Sequence, residues 1–260
     1  MLYFLFYQYI DGIFLLSFVY LLLGDTMKLD GLMIAHRGIF DNKQIPENSL
    51  LSFSKAIQLN YPIELDVQLT KDKQLVVFHD LSLERMCGTE KFISDLTLQE
   101  LRNYSLLSTD EKIPSLQEVL DLVCGRVLLD IEVKHSSSID VIASILLEVL
   151  KDYSGDVLLK SFQPNMVRYL KKHCSYPIGL LMTYFPTSKL YSYFMSSELL
   201  VQYTKADFIA VNKKIIEKKR IQKFRKKRPV FVWTLKEKKE FLIYKNWADS
   251  FLFDSSKRRF

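Results

Sequence analysis

The sequence predicts an α/β fold, a (β/α)8 TIM barrel, and two observations support this prediction. Short runs of β-branched and other apolar residues alternate with longer segments of helical periodicity, which is typical of parallel strands joined by right-handed crossovers. Counting the runs gives eight strands in about 230 residues, the usual size of such a barrel. Any chemistry is then expected at the C-terminal ends of the strands.

The predicted strands are short, and the predicted helices lie between them. Thr97 with Glu100, and Ser115 with Glu118, have the spacing of capping boxes, which indicates that helices begin there. The predicted strands are residues 32–35, 63–67, 127–132, 157–161, 178–182, 208–211, 230–234 and 250–253, and the predicted helices are residues 47–59, 98–104 with 116–123, 139–150, 164–172, 190–203, 215–224 and 236–247.

One further run does not fit the alternation. Residues 74–79 read as a strand, but only about four residues separate them from Leu69. A parallel crossover needs a dozen or more residues, so the chain is expected to return antiparallel, as a β-hairpin after strand 2. This return carries His79 back toward the level of Glu64 and Asp66.

The N-terminal segment is unusually apolar. Residues 2–23 contain three clearly polar side chains, among them Asp11. The segment is long enough to cross a bilayer, although a carboxylate at mid-membrane costs about 3 kcal/mol. We therefore predict a hydrophobic N-terminal helix and candidate membrane anchor in residues 1–26, followed by the barrel domain in residues 27–260. The alternatives are a helix packed on the barrel, or an extension upstream of a natural start at Met27.

Charge bias and cysteine content indicate the compartment. Lys28 and Arg37 follow the apolar segment and no Lys or Arg precedes it, which places the barrel in the cytoplasm. The expectation is thus a membrane-associated protein with a cytoplasmic barrel, and the alternative is a soluble cytoplasmic protein. Cys87, Cys124 and Cys174 are odd in number and lack metal-ligand spacing, so a disulfide framework and a zinc site are not predicted.

Composition excludes a disordered or fibrous chain, since 48% of residues are hydrophobic and 25% are charged. The net charge of +6 could attract nucleic acid, anionic lipid or phosphate-bearing substrates. Much of the excess lies in residues 213–228, where basic residues alternate with apolar ones. This pattern predicts a helix with a solvated basic face. Lipid headgroups fit it better than nucleic acid does.

Pairs of charged residues two positions apart predict a cation site. Glu64 and Asp66 lie in an apolar strand, so both point to the same face. Two buried carboxylates are costly unless a cation lies between them. Glu132 and Lys134 repeat the spacing and would complete an oxygen set for Mg²⁺ or Ca²⁺. The alternatives are solvated acids on an edge strand and a buried salt bridge.

The remaining candidates also lie at predicted strand ends. His36 and Arg37 close the first strand, Phe162 follows the fourth and Trp233 lies in the seventh. Either histidine alone could be a core residue bonded to a carbonyl. Two histidines beside an arginine and several acids favour a functional site instead. Phe162 and Trp233 are expected to be pocket walls, with simple barrel filling as the alternative.

Ten sequence motifs, in order over residues 31 to 254, resemble the glycerophosphodiester phosphodiesterase family. Lys73 is a departure, because the family usually has glycine in this hairpin. The matching motifs are Ile34-Ala-His-Arg-Gly38, Pro46-Glu-Asn-Ser49, Ile63-Glu-Leu-Asp-Val-Gln-Leu-Thr-Lys-Asp72, Leu75-Val-Val-Phe-His-Asp80, Leu83-Glu-Arg85, Asp95-Leu-Thr-Leu-Gln-Glu-Leu101, Ile113-Pro-Ser-Leu-Gln-Glu-Val-Leu120, Ile131-Glu-Val-Lys134, Ser161-Phe162 and Val232-Trp-Thr-Leu235.

The resemblance implies a TIM-barrel enzyme that hydrolyses glycerophosphodiesters to sn-glycerol 3-phosphate and an alcohol with a divalent cation, Mg²⁺ or Ca²⁺. It leaves open which histidine is the acid and which the base, and whether a substrate hydroxyl or water attacks phosphorus. The roles it implies are metal ligands for Glu64, Asp66 and Glu132, phosphate contacts for Arg37 and Lys134, and an acid–base pair for His36 and His79.

Two other functions fit the same residues. The site could act on lysophospholipids at a membrane, as a lysophospholipase D does, with the apolar N-terminus and basic segment holding the barrel there. It could also be a non-catalytic barrel that binds lipid headgroups. Because all the expected acids, histidines and cations are present, the sequence favours an enzyme acting on a small-molecule substrate.

Overall fold

The structure, a computed structural model, describes residues 28–184, 188, 193–194 and 196–256, and the backbone of residues 7–10 and 13–16. Eight parallel strands form a barrel. The barrel is closed, because the first of these strands pairs with the last on one side and with the second on the other. Residues Ala35 and His36 pair with Ile63 and Glu64 across the seam. The predicted TIM barrel is confirmed. The barrel strands are β3 Met33–His36, β4 Ile63–Leu69, β6 Leu129–Val133, β7 Val157–Ser161, β8 Ile178–Met182, β9 Phe208–Asn212, β10 Val230–Leu235 and β11 Ser250–Phe253.

The structure differs from the prediction at the N-terminus. In place of a helix it places two short antiparallel strands, β1 Tyr7–Ile10 and β2 Ile13–Leu16. The sequence between them, Asp11-Gly12, is typical of the loop of a two-residue β-hairpin. The helix prediction considered only the apolar character of the segment and overlooked this signal. The rest of residues 1–26 lies outside the described part of the chain. Among the described residues, no helix combines the length and apolar character that crossing a bilayer requires.

The helices lie between the barrel strands, as the periodicity predicts. Both predicted capping boxes are present, at Thr97 with Glu100 and at Ser115 with Glu118. The predicted helix over residues 215–224 is shorter, because a 3-10 turn precedes it. The helices are α1 Leu50–Gln58, α2 Glu84–Cys87, α3 Leu98–Leu101, α4 Leu116–Val123, α5 Ile139–Leu150, α6 Pro164–His173, α7 Glu198–Thr204, α8 Lys219–Arg225 and α9 Lys238–Tyr244.

The predicted hairpin after the second barrel strand is also confirmed. Strand β5, Leu75–Val77, runs antiparallel to β4, with Leu69 paired to Leu75. The turn contains Lys73 at a φ of 60°, a left-handed conformation that costs a non-glycine residue about 1–2 kcal/mol. The Thr70 hydroxyl holds this turn by accepting a hydrogen bond from the Gln74 backbone N–H at 2.8 Å. Lysine therefore occupies the usual glycine position without loss of the hairpin.

Alternation along β4 decides which side chains enter the barrel. Ile63, Leu65 and Val67 are buried in the apolar layer between the strands and the helices. Glu64 and Asp66 alternate with them and point to the opposite face, the barrel interior. Both acids are almost completely buried. The strand thus separates an apolar outer face from an acidic inner face.

Candidate active site

Three carboxylates meet at one end of the barrel. Strands β4 and β6 pair in parallel with Asp66 opposite Glu132, and Glu64 lies two residues before Asp66. Suitable oxygens of these three acids all lie within 4.8 Å of one another, and all three residues are buried. The structure therefore brings together the three acids that the sequence nominates as metal ligands.

The two predicted phosphate-binding cations flank this acidic cluster. Lys134 Nζ lies 2.8 Å from Glu132 Oε1 and 3.3 Å from Asp66 Oδ1. Arg37 Nε lies 3.3 Å from Asp66 Oδ2 on the other side. Both cations thus lie where the oxygens of a phosphate beside the cluster would be within reach.

The turn after β3 positions His36 and Arg37. Arg37 has a φ of 60° and Gly38 a φ of 82°, and the Arg37 backbone N–H donates to Glu64 Oε2 at 3.1 Å. A Cβ at Gly38 would lie 2.5 Å from Ser52 Oγ and 2.9 Å from Ser52 backbone carbon. Glycine is therefore required for this turn to pack against α1. The turn places His36 Nε2 3.9 Å from Glu64 Oε2.

A continuous polar chain connects the second histidine to Arg37. His79 Nδ1 lies 2.6 Å from Asp80 Oδ1, and Arg85 Nε donates to Asp80 Oδ2 at 2.5 Å. Arg85 Nη2 also donates to Glu47 Oε1 at 2.7 Å. Arg37 Nη1 donates to the same oxygen at 2.6 Å. The side chains that flank the acidic cluster are therefore held by one network rather than independently.

Two adjoining cavities open on the site. The smaller, of about 110 Å³, contacts both histidines, Arg37, Glu64 and Glu132. The larger, of about 830 Å³, shares His79, Glu132 and Phe162 with it and extends past Lys134. Phe162 and Trp233 line the smaller cavity, with an edge-to-face ring contact at 5.7 Å. Eight of the nine residues nominated from the sequence thus line these two adjoining cavities, and the ninth, Asp66, lies behind them in contact with Arg37 and Lys134.

Burial and neighbouring charges shift the pKa values of the acids and of His36 in the site. Burial and the neighbouring Asp66 raise the pKa of Glu132 to about 7, and burial also raises the pKa of Glu64. Burial opposes ionisation of Asp66 too, but Lys134 and Arg37 hold its pKa well below the usual range. Burial together with Arg37 lowers the pKa of His36 to about 3. The neighbouring cations therefore favour the ionised form of Asp66 strongly, and they offset the burial of Glu64 and Glu132 only in part.

The donor set fits a divalent cation. Carboxylate oxygens are the ligands that Mg²⁺ and Ca²⁺ prefer, and a cation would offset the charge that raises the pKa of Glu132 and Glu64. Asn48 Nδ2 donates to Asp66 Oδ2 at 2.9 Å, and its buried Oδ1 accepts no hydrogen bond from the described residues. This amide oxygen is a further hard donor next to the cluster.

Sequence reasoning missed four residues of this network. Glu47, Asn48, Asp80 and Arg85 were visible only as parts of motifs that resemble the family. Glu47, Asn48 and Asp80 lie in loops, and Arg85 lies in α2, a helix of only four residues, so neither helical nor strand periodicity gives a signal. Asn48 has a φ of 54°, which asparagine tolerates better than most residues. The one available signal was polar residues close to the predicted strand ends.

A buried lysine lies deeper in the barrel and was also missed. Lys160 is fully buried, with Nζ 2.5 Å from Asp130 Oδ2 and 3.3 Å from Glu64 Oε1. Burial raises the pKa of Asp130 to about 6, although Lys160 opposes that shift. Lys160 therefore supplies the counter-charge beneath Glu64. In the sequence it lies within an otherwise apolar strand, which gave no reason to single it out.

Comparison with known proteins agrees with this geometry. The family model for the Glycerophosphoryl diester phosphodiesterase family matches residues 36–255. A glycerophosphodiester phosphodiesterase of Caldanaerobacter subterraneus is 38% identical over 162 residues, which are 58% of this chain and 66% of that protein. The match thus spans slightly less than two thirds of that relative.

Solved structures share the barrel over most of its length. The crystal structure of a glycerophosphodiester phosphodiesterase from Thermotoga maritima has a TM-score of 0.71 at 27% identity, covering 87% of this chain and 96% of that one. An Oleispira antarctica phosphodiesterase in complex with the product sn-glycerol-3-phosphate has a TM-score of 0.74 at 21% identity, covering 87% and 94%. The fold and the acidic cluster define a TIM-barrel protein with a candidate divalent-metal centre. This chain belongs to the glycerophosphoryl diester phosphodiesterase family.

Proposed function

We propose that the protein hydrolyses glycerophosphodiesters to sn-glycerol 3-phosphate and an alcohol. One observation carries this proposal: three buried carboxylates within 4.8 Å, with Arg37 and Lys134 on either side and two imidazoles adjoining the same cavity. Family membership and the Caldanaerobacter relative point to the same reaction. A substrate bearing a phosphodiester matches this arrangement of acids and cations better than a neutral substrate does.

In this proposal Glu64, Asp66 and Glu132 hold a divalent cation, Mg²⁺ or Ca²⁺. When bound, the cation neutralises negative charge on the phosphate oxygens. Arg37 and Lys134 bind those oxygens, the first through its planar donors and the second as a point charge. Their contacts with the acids keep both side chains extended toward the cavity before substrate arrives. Binding therefore needs little rearrangement of either cation.

His36 and His79 transfer the protons of the reaction. A carboxylate can only accept a hydrogen bond, so Asp80 selects the His79 tautomer with a proton on Nδ1. His79 Nε2 is then left to exchange a proton with substrate or water. His36 borders the same small cavity, so one imidazole can accept a proton while the other donates one. Phe162 and Trp233 form its aromatic wall and limit the access of water.

The test is release of sn-glycerol 3-phosphate from glycerophosphocholine and glycerophosphoethanolamine in the presence of Mg²⁺ or Ca²⁺. We expect turnover that EDTA abolishes and added cation restores. An enzyme that releases no product from either compound with any common divalent cation would refute the proposal. Turnover that survives complete chelation would refute the metal-dependent form of it.

A second substrate class is favoured by the rim of the larger cavity. Leu81 and Phe92 line it and are exposed by 62% and 50%. The backbone N–H of Ile93 donates to the Leu81 carbonyl at 3.0 Å, which holds the two backbone segments of this rim side by side. Such a rim offers contact area to an acyl chain, which glycerophosphocholine lacks. Lysophospholipids are therefore the second candidate, and the ratio of kcat/KM for lysophosphatidylcholine to that for glycerophosphocholine distinguishes the two.

A further inference from the structure

Two adjacent aromatic side chains are exposed on the same end of the barrel as the active site. Tyr193 and Phe194 are exposed by 62% and 54%. They lie in the connection from β8 to α7, and in a parallel barrel every such connection begins at the C-terminal end of its strand, where the acidic cluster lies. Exposed large apolar groups that adjoin one another mark interaction surfaces more often than isolated ones do. This pair therefore indicates a contact surface at the same end of the barrel as the cavity mouth.

Two cations at the start of α8 lie against aromatic rings of this β8–α7 connection. The Arg220 guanidinium carbon is 4.9 Å from the centre of the Tyr193 ring, and Lys218 Nζ is 5.3 Å from the centre of the Tyr184 ring. Within the described ranges, neither cation forms a salt bridge with a carboxylate. Burial and the neighbouring Arg220 lower the pKa of Lys218, as expected where cations crowd together. We define the aromatic–basic patch as Tyr184, Tyr193, Phe194, Lys218 and Arg220. Its two cations are not paired with a carboxylate in the described part of the chain.

The sequence around the patch also contains many more basic than acidic residues. Residues 183–197 contain no aspartate or glutamate, and residues 213–228 contain ten lysines and arginines with one acid, Glu217. Among the residues that the structure describes, three of the ten cations form ion pairs, with Glu240, Asp249 and Glu198. An anionic partner is therefore favoured over a neutral or cationic one.

We propose that the aromatic–basic patch docks on the surface of an anionic lipid bilayer, with the cavity mouth facing the membrane. Tyrosine and phenylalanine side chains suit the headgroup region, and nearby lysines and arginines are attracted to anionic lipid. A planar, diffuse negative surface matches a patch that combines exposed rings with cations. This inference goes beyond the proposed hydrolysis, because it concerns where the barrel is held and which end faces the lipid.

The experiment places a tryptophan in the patch of the full chain, as Phe194→Trp, and measures quenching by vesicles containing brominated lipid. The matched control is Ile243→Trp on α9, because Ile243 is exposed by 53% and lies outside the patch. With vesicles of brominated phosphatidylcholine and phosphatidylglycerol, we expect quenching of the added fluorescence at position 194 that is at least threefold greater than at position 243. Attachment through another part of the chain would not produce this difference.

Charge reversal tests the electrostatic part of the proposal. Lys218→Glu with Arg220→Glu in the Phe194→Trp background is expected to abolish the quenching, whereas Lys151→Glu with Lys172→Glu, which makes the same change in net charge elsewhere, leaves it intact. Unchanged turnover of soluble glycerophosphocholine by all variants verifies that the barrel is folded. Quenching at position 194 no greater than at position 243, or equal quenching by vesicles of phosphatidylcholine alone, would overturn the proposal.

Discussion

Asp80 holds His79 by a 2.6 Å contact between Asp80 Oδ1 and His79 Nδ1. Its second oxygen accepts a hydrogen bond from Arg85 Nε at 2.5 Å, so each of the two carboxylate oxygens has a partner. The orientation of the imidazole therefore depends on a side chain outside the acidic cluster. Asp80 and Arg85 are positioning residues, and they extend the candidate site beyond the groups that would contact substrate.

Asp80→Asn tests this relationship. An asparagine amide can donate to His79 Nδ1 and so favour the wrong tautomer. We expect kcat for glycerophosphocholine to fall about 100-fold, within the contribution of a positioned acid–base group, while KM changes little. Asp110→Asn, at an exposed position on the protein surface, is the control. A kcat for Asp80→Asn equal to that of the control would contradict the positioning role.

Glu47→Gln tests the link between Arg37 and Arg85. Although burial opposes its ionisation, the hydrogen bond from Arg85 and the charge of Arg37 hold the pKa of Glu47 at about 2. Glutamine keeps the shape but removes the charge that both arginines share. We expect KM to rise about 10-fold, because Arg37 is no longer held toward the phosphate. Fluorescence-monitored urea unfolding should show a loss of about 1–3 kcal/mol. Unchanged KM would show that Glu47 does not position Arg37.

Asp66→Asn tests the candidate metal centre by a readout independent of turnover. The substitution removes one anionic ligand from the middle of the cluster and leaves a side chain of similar size. Isothermal titration calorimetry with Mg²⁺ and Ca²⁺ should show an affinity at least about 10-fold weaker than wild type. Circular dichroism should show an intact barrel. Asp121→Asn, on an exposed helix position, should bind as wild type does. Equal cation affinity for Asp66→Asn and wild type would remove Asp66 from the ligand set.

Lys160→Met tests the buried counter-charge. Removing the ammonium leaves the buried Asp130 and Glu64 without their closest cation, so the free energy of unfolding should fall by about 3–5 kcal/mol. Lys160→Met combined with Asp130→Asn should recover part of that loss, because fewer buried charges remain unpaired. Urea denaturation of the two single variants and the double variant measures this coupling. Additive losses in the double variant would show that the two residues do not interact energetically.

Local sequence patterns determined the barrel and much of the candidate site. Alternation along β4 was enough to place Glu64 and Asp66 on one face, because side chains in a strand alternate whatever lies around them. The short spacing before residues 74–79 determined the hairpin, because chain length alone forbids a crossover. Glu132 followed from the repeated spacing with Lys134. These inferences depend on geometry that each segment carries by itself.

The tertiary structure decided which groups meet across separate segments. Arg85 contacts Glu47 from 38 positions away, and Lys160 contacts Asp130 from 30 positions away. No periodicity encodes such pairs, because closing the barrel is what brings the segments together. The N-terminal segment shows that composition alone can also mislead. Its apolar character predicted a helix, but residues 7–10 and 13–16 pair as an antiparallel hairpin. Sequence alone therefore nominated the three acids, the two flanking cations and the two histidines, and the closed barrel determined their partners, among them Lys160 and Glu47.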